Sequence, residues 1–218
     1  WNPLTDFEYI GVLARSYSSL IARPDLPINS FKEFVAYAKK NGKKLMFGNS
    51  GIGGISHVCG LQIAEALGTQ FTSVPYKGSA PAVIDLMAGR LDLMCDAPAT
   101  SGPHIRAGKV KAIGVLGLKR SRVLPDVPTL DEQGLTGFQM ENVNGVYGPK
   151  GIPGPILNRL RSALENSFAD PGFDAYLKKS GYEELPKEMR SGEALRERVN
   201  SEVERWGRIL RAAGVKPR

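Results

Sequence analysis

The residues best suited to chemistry lie between Gly48 and His57, where the chain reads Gly-Asn-Ser-Gly-Ile-Gly-Gly-Ile-Ser-His. The run follows a short strand, Lys44–Gly48, and opens a helix that continues through Leu67 to a stop at Gly68. Gly51, Gly53 and Gly54 let the backbone approach a ligand, and the unbonded N–H groups of a helix start then point at an anion. Ser50 and Ser56 add hydroxyl donors, and Ile52 shares the loop. His57 falls in the first helical turn, where it either touches the ligand or packs as a neutral imidazole near the positive end of the helix.

The next strand end repeats the design. Tyr76-Lys77-Gly78-Ser79-Ala80-Pro81 leads from strand Phe71–Pro75 into a helix ending at Ala88, with Pro81 near its first turn. A third strand, Leu91–Asp96, ends in a carboxylate that breaks its apolar run, so Asp96 either caps the following helix or orients a ligand donor or water. In an open parallel sheet such neighbouring strand ends converge on one crevice. Two helix starts and Lys77 would make that crevice selective for a small carboxylate or phosphate.

Other chemistry is poorly served. A dinucleotide site needs G-x-G-x-x-G and an acid after the following strand, whereas this loop runs G-x-G-G and the strand ends Val74-Pro75-Tyr76-Lys77. No Gly-Lys-Ser/Thr closes a phosphate loop, and no Gly-x-Ser-x-Gly elbow is present. His57 and His104 lack the spacing of paired metal ligands, so neither a metal nor another cofactor is expected. Cys59 and Cys95 match neither a zinc nor a redox spacing, and each lies in an apolar stretch, where a buried thiol is expected. The carboxylates of the last helix alternate with arginines as surface ion pairs. The chain does not read as an enzyme.

The elements that must hold these residues alternate. Ser30-Phe31-Lys32-Glu33 reads as a capping box ahead of Phe31, Phe34, Val35 and Ala38, with a stop at Gly42. Strand and helix then alternate to a strand at Val110–Leu116, which predicts a parallel sheet covered on both faces. Residues 21–140 form this α/β lobe. Residues 1–20 and 141–218 form a second, partial lobe, with strand Phe138–Tyr147, three amphipathic helices and only a weak strand near Tyr182–Leu185. The helical faces Ile156, Leu157, Leu160, Leu164, Phe168 and Leu195, Val199, Val203, Trp206, Leu210 have too little sheet to cover.

The 218 residues carry 25 glycines and 15 prolines, hence many turns, and an ordinary 42% of hydrophobic residues. No apolar run is long enough to span a membrane. The net charge of +7 is dispersed, without long basic blocks or aromatic-basic alternation, which argues against nucleic-acid binding.

Taken together, the motifs resemble one family. These are Val74-Pro-Tyr-Lys-Gly-Ser-Ala-Pro-Ala, Asp85-Leu-Met-Ala-Gly-Arg-Leu-Asp-Leu-Met-Cys-Asp96, Pro103-His-Ile-Arg-Ala-Gly-Lys, Asp126-Val-Pro-Thr-Leu-Asp-Glu-Gln-Gly134 and Gly148-Pro-Lys-Gly-Ile-Pro153. They are similar to the periplasmic solute-binding proteins of tripartite tricarboxylate transporters, the Bug family. The resemblance implies a two-lobed, type II periplasmic-binding-protein architecture, here with one lobe complete and one partial. It implies capture of a dicarboxylate, tricarboxylate, acidic amino acid or aromatic acid without chemistry, and delivery to integral-membrane permease subunits. Ser50 to Gly54, His57, Tyr76 to Ser79 and Asp96 fall where this family's second lobe faces the ligand. Val143, Asn144 and Ala97 stand where family members often carry an aromatic residue before a later turn and an Asn after the strand-end Asp. The family's earlier strands and its Pro/Gly-rich gripping loop have no counterpart before Trp1, and a chain lacking them would favour dimerisation. The rival readings are an α/β enzyme acting on a small phosphorylated or carboxylated substrate and a ligand-sensing module.

Overall fold

The structure, a computed structural model, describes residues 2–215. In chain order its first elements are β1 (Phe7–Tyr17), β2 (Ser19–Ala22), α1 (Phe31–Asn41), β3 (Met46–Asn49), α2 (Ile55–Ala66), β4 (Thr72–Pro75) and α3 (Ser79–Met87). There follow β5 (Leu93–Asp96), α4 (Pro98–Arg106), β6 (Lys111–Val115), β7 (Glu141–Pro149), α5 (Gly154–Ser167), α6 (Pro171–Ser180) and α7 (Gly192–Ala212). They fall into two units, one holding Tyr17–Asn142 and the tail from Ile209, the other the residues up to Ser16 with Val143–Arg208.

The first of these carries a five-stranded sheet in the order β4-β3-β5-β2-β6. Strand β3 runs parallel to β4 and to β5, as alternating strands and helices require. The sheet is mixed, however, because β2 lies antiparallel between β5 and β6. An all-parallel sheet was expected. The difference arises because β2 enters the sheet without a crossover helix, and its Leu20, Ile21 and Ala22 are wholly buried there. Around it pack Ala82, Val83 and Leu86 of α3 with Leu91, Met94 and Val110. On the other side Phe34 of α1 meets Phe71, which stacks on Phe47 of β3 at 5.5 Å between ring centres. Ser30 starts α1 as its pattern predicts, its hydroxyl accepting from the Glu33 amide at 3.2 Å.

Cys59 and Cys95 are joined in a disulfide rather than lying as thiols. Helix α2 packs on β5, which brings two cysteines 36 residues apart to a Cα separation of 6.3 Å. That distance is ordinary for a disulfide. Spacing along the chain carries no trace of it.

The second unit is built on a two-stranded sheet of β1 and β7. One cluster of its core holds Tyr9, Val12, Leu185 and Leu195, with Val143 and Val199 against them, and Ile10, Ala14 and Leu177 are buried as well. Residues Tyr182–Leu185, expected as a weak strand, make only a single bridge between Arg15 and Glu183. Helix α5 buries none of its side chains, and Ile156 is 53% exposed. Beside it Ile10, Arg161, Leu164, Arg190, Gly192 and Arg196 line a cavity of about 620 Å³.

Candidate functional site

Three parallel strands end on one edge of the larger sheet. The register pairs Asn49 of β3 with Pro75 of β4, and Gly48 with Met94 of β5, so Asp96 reaches the same edge. Each strand end leads into a helix: β3 into α2, β4 into α3, β5 into α4. That edge is where an open α/β sheet holds its ligands.

The 50–54 loop is fixed largely by its own bonds. The Ser50 amide donates to Ser56 Oγ at 2.8 Å, the Gly51 amide to Asn49 Oδ1 at 3.1 Å and the Gly54 amide to the Gly51 carbonyl at 3.1 Å. Gly53 donates to His57 Nδ1 at 3.1 Å. Its φ of 82° lies in the left-handed region, which a side chain would strain. The Ile55 and Ser56 amides, at the start of α2, lie among the N–H groups that a helix start leaves without an intrahelical carbonyl. The Ser50 and Ser56 hydroxyls are 2.8 Å apart. If Ser56 donates to Ser50, the Ser50 proton points outward as a donor.

His57 is 7% exposed, and burial lowers its pKa. Since Nδ1 accepts from Gly53, the neutral ring carries its proton on Nε2. It clamps the loop from beneath. Ile52, by contrast, is half exposed on the loop.

Tyr76 joins this loop through its backbone, its amide donating to the Asn49 carbonyl at 2.9 Å. Its hydroxyl turns down α3 to Asp85 Oδ2 at 2.7 Å. Burial, then the Asp85 bond and charge, raise the phenol pKa, while Arg90 at 2.6 Å and then Tyr76 hold the Asp85 carboxyl low. Tyr76 is expected at the ligand; the structure joins its backbone to the end of β3 and turns its ring towards Asp85. Lys77 is exposed in the turn. Gly78 precedes α3 with φ 106° and open space where a Cβ would stand.

Asp96 is 4% exposed. The Ser79 hydroxyl and the Ala97 amide donate to its carboxyl, yet burial outweighs them and lifts its pKa from 3.8 to about 6. It therefore ties the end of β5 to the first residue of α3. Sequence reasoning missed Ser73, whose hydroxyl accepts from Asn49 Nδ2 at 2.9 Å and fixes the amide under the loop. A polar amide closing an apolar strand was the available signal for Asn49. Nothing local marked its partner.

This architecture is that of known solute-binding proteins. The periplasmic binding protein BugD matches with a TM-score of 0.91 and 41% identity, over 100% of this chain and 73% of its own. MatC of Rhodopseudomonas palustris, solved with malate, matches at 0.89 and 31% identity, over 96% of this chain and 71% of its own. A further R. palustris protein solved with adipate matches at 0.91 and 29% identity, over 100% and 72%. A curated UPF0065 protein of Agrobacterium vitis is 36% identical over 214 residues, 98% of this chain and 62% of its own length. The chain thus spans about three fifths of that relative. Residues 1–215 match the tripartite tricarboxylate transporter family receptor, and the chain belongs to that family.

Proposed function

We propose that the chain captures a small carboxylate at the edge formed by Asn49, Pro75 and Asp96 and presents it to membrane permease subunits of a tripartite transporter. The observation that carries this reading is the convergence of three strand ends, each feeding a helix N-terminus, beside a glycine-rich loop. Ile55 and Ser56 amides, the Ser50 hydroxyl, the Gly78–Ser79 start of α3 and Lys77 supply donors and positive potential. His57, Tyr76 and Asp96 hold those donors in place, and Ile52 supplies apolar contact. Charge-assisted hydrogen bonds of this kind strengthen as water is excluded.

The malate and adipate held by the two R. palustris relatives support a carboxylate as the ligand class. A periplasmic location is supported by the BugD likeness and by the Cys59–Cys95 disulfide, which persists in oxidising compartments. No helix among the described residues is long and apolar enough to cross a membrane.

The test is thermal unfolding of this chain with malate, adipate, citrate, aspartate and nicotinate, with arginine as the cationic control. A ligand at 100 times its Kd adds about 2.7 kcal/mol of stability. Stabilisation by one or more acids and none by arginine is expected. A folded protein unmoved by every acid overturns the reading.

A further inference from the structure

Of the buried polar atoms of the larger unit that lack a hydrogen-bond partner among the described residues, two lie on adjacent strands: Asp96 Oδ2 and Ser19 Oγ. Asp96 of β5 and Ser19 of β2 are directly opposed in the antiparallel register. Opposed residues of such a pair share one face of the sheet, with Cβ atoms about 5 Å apart. The two side chains are not bonded to each other in this structure, and a protonated Asp96 that turned to donate to Ser19 Oγ would satisfy both atoms. Ser19 is fully buried and Asp96 nearly so, so bulk water does not supply the partner.

The charge state of this pair matters because of what sits next to it. The other side of the Asp96 carboxyl accepts from Ser79, the first residue of α3, and from Ala97, just before α4. An anion drawn to those helix starts would therefore lie close to a second, buried negative charge. In a low-dielectric setting, like charges at such range favour the state in which one of them is protonated.

Among the described residues no charged group neutralises Asp96. Strands β2 and β3 carry no titratable side chain. Helix α2 brings His57, which bonds the loop, and the exposed Glu65. Helix α3 brings Asp85, taken by Arg90 and Tyr76. Helix α4 brings His104 and the exposed Arg106, and the preceding turn the exposed Lys77. The shift of the carboxyl comes from burial set against its two hydrogen bonds, with no charged neighbour contributing.

We propose that ligand capture at this edge is coupled to proton uptake: Asp96 is neutral beneath an occupied site, with Ser19 as its cross-strand hydrogen-bond partner. The inference rests on the carboxylate-capture reading. It makes Asp96 a positioning residue whose protonation selects for anions.

The test is calorimetric titration of the full chain with malate and with adipate at pH 6, 7 and 8, a window in which the ligand carboxyls stay ionised. With a carboxyl titrating at about 6, the neutral fraction falls from half to about one hundredth, so wild-type affinity should drop by about 50-fold. Asp96→Asn should bind with no such slope and more tightly than wild type at pH 8. A residue that merely held the fold would lose affinity at every pH when replaced. His104→Gln, a change at the histidine of α4, should keep the wild-type slope. Binding with a flat wild-type profile, or a slope retained in Asp96→Asn, overturns the coupling while leaving carboxylate capture intact. Absence of binding by either acid at every pH overturns the capture reading and the coupling with it. Should Asp96→Asn fail to fold, the ¹³C carboxyl titration of wild-type Asp96 decides: a midpoint near 6 supports the coupling, one near 4 ends it.

Discussion

At the scale of the residue, Asp96 sets a stability dependence that runs opposite to that of most carboxylates. Below 3.8 the group is protonated whether the chain is folded or not, and it contributes nothing unfavourable. As pH rises through about 6, the folded chain must hold a buried charge that the unfolded chain exposes to water, and stability is lost. The shift corresponds to about 3 kcal/mol by pH 8. Asp96→Asn is therefore expected to unfold at higher urea than wild type at pH 8, the two converging towards pH 4. A urea difference that does not change with pH would show that desolvation of the charge is not the cause. His57 illustrates the opposite lesson: burial keeps its ring neutral, and that neutrality lets Nδ1 accept from Gly53 and hold the loop.

At the scale of the element, α2 is the piece on which the site depends. Its N-terminus faces the loop, its middle packs on β3, and Cys59 ties it to β5. Gly60 permits that packing, since a Cβ there would stand 2.8 Å from the Phe47 ring. Gly60→Ala gains about 1 kcal/mol of helix propensity but forces overpacking that costs about 1–3 kcal/mol. A net loss of about 1 kcal/mol is expected in urea unfolding, and a gain would mean that Phe47 can shift aside. The disulfide spans 36 residues, and by loop-closure entropy its reduction should remove about 3–4 kcal/mol. Urea unfolding with and without dithiothreitol measures this directly. Equal midpoints would show that the packing of α2 on β5 suffices without the covalent link.

At the scale of the whole molecule, the two units differ in what holds them. The larger has a five-stranded sheet with helices packed against it and a crosslink. The smaller has two strands, few buried apolar residues among those described, and helix α5 with none of its side chains buried. Two-stranded sheets are marginal without further cover. Scanning calorimetry is expected to resolve two transitions, with the smaller unit melting first. A single transition with equal calorimetric and van't Hoff enthalpies would show that the units unfold as one.

Much of this protein is legible in the order of its residues, because the signals are local. Gly51 to Gly54 after a strand, Ser30 three residues before Glu33, and Gly78 before Ser79 each act through backbone conformations and caps only a few residues long. The strand–helix alternation likewise follows from apolar periodicity, and it led to the parallel strand ends that form the candidate site. What the tertiary structure alone decided involves partners distant along the chain. Ser19–Ala22 follows β1 with no helix or turn motif to set it apart, and only its insertion between β5 and β6 makes it a separate strand. Cys59 meets Cys95, Asn49 meets Ser73, and Ser19 faces Asp96 because helix and strand pack in three dimensions. The directions of the Tyr76 hydroxyl and the His57 ring follow from the same packing. A side chain's residue type determines what it can bond, and only the fold determines which partner lies within reach.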